Sequence, residues 1–345
     1  MTAPERWHER TIAWVDYAKG ISIILVVMMH STLSSEDALH HVGWLHEVVA
    51  FAKPFRIPAF FLIAGLFASR SISADWRRFL DRKVLHFVYF YVLWLTIQFV
   101  FRTPGYIAEG GVVGALHAYL LAFIDPYGTL WFIYLLPVFY LVTRLTRKVP
   151  PALMLLIGAA LEIAHIDTHW TLIDEFAARF VFFYAGYLFG GWILGESGKV
   201  PSRMTLAVAA LAIWAVANLW LVKVDLAATP FISLALGLTG AAAVVIFSVL
   251  LAQYRLLDSI RYCGSNSIVI YLAFFLPMAA TRTALVKFGL ITDPGTVAAI
   301  VTLIAVTVPL ILYWLVRGTS LNFLFERPDR FRLIKQRPLN LQPAE

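Results

Sequence analysis

A single cysteine, Cys263, stands in 345 residues, so no internal disulfide can form and cysteine usage does not reveal the redox compartment. Charge is scarce too. Asp, Glu, Lys and Arg make up 14% of the chain, against 60% apolar residues and a mean hydropathy of +0.77. That balance excludes an ordinary water-soluble domain, which carries about 25% charged residues and could not hide so much apolar surface. No polar or proline-rich stretch is long enough for a linker or a soluble domain, and no internal repeat is visible, which leaves one domain over 1–345. Nucleophile-elbow, phosphate-loop and zinc-protease helix motifs are all absent. The first apolar run, from Ile12, carries Asp16 and Lys19 and is followed by no small-residue cleavage pattern, so it reads as a retained helix rather than a signal peptide.

What is abundant is long apolar sequence. Crossing ~30 Å of hydrocarbon at ~1.5 Å per residue takes roughly 20 mostly apolar residues. Runs of this kind fall near 11–34, 48–69, 84–101, 129–146, 152–166, 176–194, 204–222, 230–251, 266–287 and 296–317. The expectation is an all-α, polytopic membrane bundle of about ten transmembrane helices. A further run, 112–124, is too short to span and reads as a re-entrant or interfacial helix in an outer loop, placed like a lid. Aromatic residues are plentiful, with 26 Phe, 14 Tyr and 11 Trp, and suit core packing and interfacial belts.

The formal charge of +7 would suit nucleic acid, but its distribution follows membrane topology instead. Twenty of the 28 Lys and Arg lie at the termini and in alternate breaks: Arg6 and Arg10, the group from Arg70 to Lys83, Arg144 to Lys148, Lys199 and Arg203, Arg255 and Arg261, and six from Arg317 to Arg337. The opposite breaks are acidic, with Glu36, Asp37, Glu47, Glu109, Asp125, Asp167, Asp174, Glu175, Asp225 and Asp293. Cytoplasmic loops concentrate Lys and Arg, so both termini are expected inside, with 318–345 as a basic cytoplasmic tail.

An ionisable side chain within a span costs a few kcal/mol or more at the bilayer centre and so needs a partner, a cavity or a function. Asp16, Lys19 and His30 fall in the first span, Arg56 in the second, Glu162 and His165 in the fifth, and Arg179 in the sixth. Lys19 and His30 are eleven residues apart, about three helical turns, so they share a face ~16 Å apart along the axis. This topology puts Lys19 near the inner surface and His30 near the outer one, with Arg56 at a similar depth to His30. Each also has a simpler reading: Lys19 snorkels and pairs with Asp16, His30 is structural, and Glu162 and His165, whose i,i+3 spacing would also suit a proton relay or half of a carboxylate-histidine metal site, form a local hydrogen bond, since no second such pair appears. A metal reading of His165, Asp167 and His169 fails for want of a further ligand set.

At these same residues the chain resembles acyltransferase family 3. DYAKGISIILVVMMH (16–30) looks like that family's first helix, in which a basic residue precedes a histidine by eleven positions. Lys19 stands where the family usually has Arg, which keeps the charge and loses the bidentate fork. KPFRIPAFFLIAGLFASR (53–70), GTLWFIYLLPVFYLV from Gly128 and RFVFFYAGYLFG from Arg179 are similar to its second, fourth and sixth spans. GSNSIVIYLAFFLP from Gly264 resembles a late span where many members have a histidine after the Tyr; here Ala273 and Phe274 stand in that place.

The resemblance implies transfer of an acyl group, commonly acetyl, from cytoplasmic acyl-CoA to a hydroxyl of a glycan or lipid-linked glycan at the periplasmic face of a bacterial inner membrane. On that reading Lys19, Arg82 and Lys83 hold the phosphates of CoA. His30 takes the acceptor proton or is transiently acylated, and the sequence leaves both roles open. Arg56 orients the thioester or stabilises the oxyanion, with Asp16, Trp131 and Arg179 in support and no metal. A transporter or flippase is the rival class, and would be expected to show inverted repeats around a midplane site.

Overall fold

A computed structural model describes residues 3–126, 128–289 and 291–334, with side chains from Ala13 onward. Lys335 and Arg337 of the expected basic tail lie outside the described residues. Among the described residues every regular element is a helix. In chain order these are α1 (Ala3–Leu39), α2 (Leu45–Ala52), α3 (Arg56–Leu66), α4 (Ala68–Ile72), α5 (Trp76–Phe79), α6 (His86–Leu121), α7 (Trp131–Leu145) and α8 (Pro151–Ile163). They continue as α9 (Thr171–Ser197), α10 (Met204–Lys223), α11 (Ile232–Tyr254), α12 (Asp258–Ser265), α13 (Ser267–Ala273), α14 (Phe275–Lys287) and α15 (Pro294–Val316). A π-helical turn, Leu80–Leu85, joins α5 to α6.

Six helices among the described residues are long and apolar enough to cross a membrane: Ala13–Leu39, Trp76–Leu121, Thr171–Ser197, Pro201–Lys223, Ile232–Tyr254 and Pro294–Val316. The second and ninth expected spans are bent pairs, α2 with α3 at 46° and α13 with α14 at 54°, which bring the count to eight if each pair is one span. The fourth and fifth expected spans are α7 and α8, apolar helices of 15 and 13 residues. At ~1.5 Å per residue they reach only about 20 Å, short of a straight crossing.

Local chemistry accounts for several boundaries. Pro151 opens α8, and Asp293 caps α15 by accepting from the Thr296 amide at 2.7 Å, with Pro294 at the first helical position. α6 passes Pro104 and breaks at Gly111 (φ 64°), where only glycine adopts the backbone without strain. The short segment expected at 112–124 is therefore the outer limb of that kinked helix. α1 runs five residues past the expected end at 34, so His30 lies nine residues, about 14 Å, from its C-terminal end.

The polar breaks sort into two sets, each bonded within itself. In one, Glu36 accepts from the Gly43 amide at 3.1 Å and meets His46 at 2.9 Å, Lys223 pairs with Glu47, Asp125 accepts from the Thr171 amide at 2.9 Å, and His165 meets Ser233 at 3.2 Å. In the other, Tyr17 donates to Asp258 at 2.8 Å, Arg144 to the Ile72 carbonyl at 2.6 Å, and Tyr313 to Glu326 at 3.2 Å. These are the acidic and basic sets of loops that charge alone separated, here forming opposite ends of one bundle.

The described part of the tail, 318–334, is held against the basic end. Arg327, 7% exposed, pairs with Asp81 at 2.9 Å and also donates to its carbonyl, while Trp94 and Tyr89 bond to the Leu324 and Phe323 carbonyls. Inside, α3 and α9 touch backbone to backbone. A Cβ on Gly65 would lie 2.2 Å from the Phe183 carbonyl oxygen, and one on Gly186 2.1 Å from that of Leu62. This close approach brings Arg56 of α3 beside Arg179 of α9.

Candidate active site

Both bent pairs break beside one cavity. Between α2 and α3 the chain passes through a turn at 53–55 and leaves helical geometry at Phe55 (φ −123°), and α3 restarts at Arg56, whose side chain lines the cavity. Between α13 and α14 the break falls at Phe274, whose ring centroid is 5.6 Å from that of His30. Irregular backbone is tolerated at membrane depth where it is buried in protein or lines a cavity. The cavity, about 170 Å³, has His30, Arg56, Thr129, Trp131, Glu175, Arg179 and Tyr271 in its wall, with Ile23, Val26, Met29, Ile57, Phe60 and Phe132 as its apolar surface.

Four of the residues that the sequence singled out thus meet in one place: His30, Arg56, Trp131 and Arg179. Among the described residues His30 makes no hydrogen bond or ion pair through either ring nitrogen, and its ring packs on Phe274. Arg56 donates through Nη1 to the Val49 carbonyl at 3.3 Å, and its Nε is buried without a partner. Arg179 is held by Glu175 one turn earlier, Nε to Oε2 at 3.0 Å. Two guanidiniums against one carboxylate leave the wall with a net positive charge.

Three wall residues escaped sequence reasoning. Glu175 was counted only as an outer acidic residue, although its i,i+4 spacing to Arg179 is the signal of a helical ion pair. Tyr271 donates to the Thr129 carbonyl at 2.5 Å and accepts from the Ile133 amide at 3.3 Å, fixing the turn before α7 against α13. Thr129 is 6% exposed and its hydroxyl has no partner. Neither residue carries a spacing signal. The contact with Phe274 also shows what stands near the place of the family's second histidine: an apolar ring against His30 rather than a titratable partner.

The remaining candidates lie elsewhere. Lys19 forms the i,i+3 ion pair with Asp16 at 3.4 Å, keeps a third of its side chain exposed, and is not in the wall of the His30 cavity. Arg82 lines a separate pocket of about 210 Å³ at the basic end together with Arg70 and Arg78. Lys83, next in sequence, points away from that pocket; it donates to Tyr140 Oη at 3.1 Å and lies over the Tyr140 ring. Glu162 and His165 do not bond to each other; His165 meets Ser233 of α11 instead. Among the described residues no three His, Cys, Asp or Glu converge as metal ligands.

Residues 12–314 match the family described as acyltransferase domain. The chain is also 24% identical over 288 residues to the inner membrane protein YcfT of Escherichia coli (strain K12), an alignment covering 75% of this chain and 77% of that protein. No solved structure matches.

Proposed function

Because the chain belongs to this acyltransferase family, we propose that it transfers an acyl group, acetyl in the simplest case, from cytoplasmic acyl-CoA to a hydroxyl of a glycan or lipid-linked glycan across a bacterial inner membrane. The observation that carries this reading is the convergence of His30, Arg56 and Arg179, from three helices, on one cavity inside the bundle. The basic end is assigned to the cytoplasm by its Lys and Arg, and the acidic end to the periplasm. On this assignment both termini are cytoplasmic, and α7 and α8 complete a ten-helix count as short crossings of a locally thinned bilayer.

Acyl-CoA is bound with its phosphates at the basic end, by Arg70, Arg78 and Arg82 and by Lys19, while the pantetheine arm extends toward His30. The His30 imidazole accepts the acceptor hydroxyl's proton as the oxygen bonds to the thioester carbonyl carbon. The carbon–sulfur bond then breaks, CoA leaves as thiolate, and the imidazolium returns its proton to the sulfur. Transient acylation of His30 gives the same balance in two steps. The negative charge that develops on the carbonyl oxygen suits a wall holding two guanidiniums and one carboxylate, with Arg56 as donor and Arg179 positioned by Glu175. Phe274 and the other apolar residues limit water and hence hydrolysis of the thioester.

Proteoliposomes of the purified chain, given acetyl-CoA labelled in the acetyl group and an extract of envelope glycans, test the reading. The expected result is His30-dependent release of free CoA with label appearing in the extract. Uptake or flipping of glycan with no CoA released would instead make the protein a transporter and end this proposal.

A further inference from the structure

A second cavity, about 480 Å³, opens at the acidic end where the α2–α3 break, the end of α8, the start of α9 and the α10–α11 loop meet. Its wall sets Lys53, Glu162, His165, Arg179, Asp225 and Ser233 among apolar residues, and it shares one residue, Arg179, with the wall of the His30 cavity. Its most demanding feature is Glu162. This α8 residue is 6% exposed, yet its Oε2 atom has no hydrogen-bond partner. A buried carboxylate oxygen without a donor costs folding free energy, so the site either accepts that cost or meets its donor in a ligand. His165 does not supply the donor, because its Nε2 is engaged with the Ser233 hydroxyl, and that hydroxyl lies beside the Glu162 carboxylate without satisfying Oε2.

We propose that this pocket binds the acyl acceptor, taking an uncharged, hydroxyl-rich segment whose O–H groups donate to Glu162; the proposal rests on the acyl-transfer reading above. The charges on the wall select this class. Arg179 is already paired with Glu175, which leaves Lys53 against Glu162 and Asp225, so a phosphate or carboxylate group would face two like charges, whereas a neutral polyol finds both donors and acceptors. Ser233 and His165 add polar contacts at the mouth, and Pro58 and Phe182 give an apolar surface for the carbon face of a sugar ring. The volume lies within the ~300–1,000 Å³ of small-molecule sites. Arg179 is the shared wall, so a segment seated here presents its next hydroxyl toward the cavity of His30.

The test uses membrane vesicles carrying the full chain, labelled acetyl-CoA, and solvent-extracted envelope glycolipid from the source organism as the acceptor probe. Glu162→Gln preserves shape and should raise the Michaelis constant for the extract at least tenfold while that for acetyl-CoA moves less than twofold. Ser233→Ala, at a partly exposed position, should raise it about threefold and carries the test if Glu162→Gln does not fold. Acceptor constants within twofold of wild type for both variants, with His30-dependent transfer intact, would overturn the pocket and leave the acyl-transfer reading standing. A lower acceptor constant in Glu162→Gln would mean an anionic ligand and would equally overturn the proposal. Wild-type vesicles with no His30-dependent transfer would sink both.

Discussion

Replacing His30 by Ala separates a catalytic from a structural histidine by magnitude. Its one described ring contact is with Phe274, of a kind worth roughly 0.5–1.5 kcal/mol. Against a folding stability of about 5–15 kcal/mol, that loss leaves nearly all of the protein folded. Loss of a general base costs roughly 10²- to 10⁴-fold in rate, or about 3–5 kcal/mol at 1.36 kcal/mol per decade. Activity should therefore fall far more than abundance does. The assay is acetyl transfer per mole of monodisperse, inserted protein, with His30→Gln beside His30→Ala. Gln keeps hydrogen-bonding capacity without a titratable nitrogen, so it should be as impaired as Ala, whereas a structural histidine would tolerate Gln better. Added imidazole should restore part of the His30→Ala rate, because the side chain's place adjoins an existing cavity of about 170 Å³. Folded His30→Ala protein within threefold of wild-type transfer would refute the mechanism while leaving family membership intact.

Two further outcomes follow from the two ends of the bundle. In intact cells a membrane-impermeant thiol reagent should label Asp37→Cys and spare Arg147→Cys until the membrane is permeabilised; strong labelling at 147 without permeabilisation would invert the topology. Removing Arg78 and Arg82 together should raise the Michaelis constant for acyl-CoA about tenfold at low salt, and by less at high salt because these exposed charges are screened. An unchanged constant at both salt concentrations would take their pocket out of the donor site.

The two breaks show where sequence reading stopped. Hydropathy reports a run of apolar residues as one span, so 48–69 and 266–287 read as straight helices. Hydropathy carries no term for the 46° and 54° bends that aim Arg56 and Phe274 at His30. Lys83 illustrates the complementary limit. Two adjacent cations look alike in a charge count, yet Arg82 faces a basic pocket and Lys83 a tyrosine, because successive positions of the π-helical turn Leu80–Leu85 leave it in different directions. The i,i+3 spacing of Glu162 and His165 likewise points to a local bond, whereas His165 meets Ser233, 68 residues beyond it.

By itself the sequence determined that the chain is helical, apolar and membrane-embedded, which loops share an end, and that His30, Arg56, Trp131 and Arg179 were worth attention. These follow from quantities summed along the chain or repeated at helical spacing: hydropathy over a span, Lys and Arg by loop, and eleven residues between two polar groups. Only the tertiary structure decided that these four residues line one cavity, that Glu175, Thr129 and Tyr271 complete its wall, and that Arg179 also faces a second pocket built around Glu162. Convergence of this kind depends on how α1, α3, α7, α9 and α13 pack. That packing is fixed by contacts such as Gly65 on the Phe183 carbonyl, between residues far apart in sequence, which no local pattern encodes.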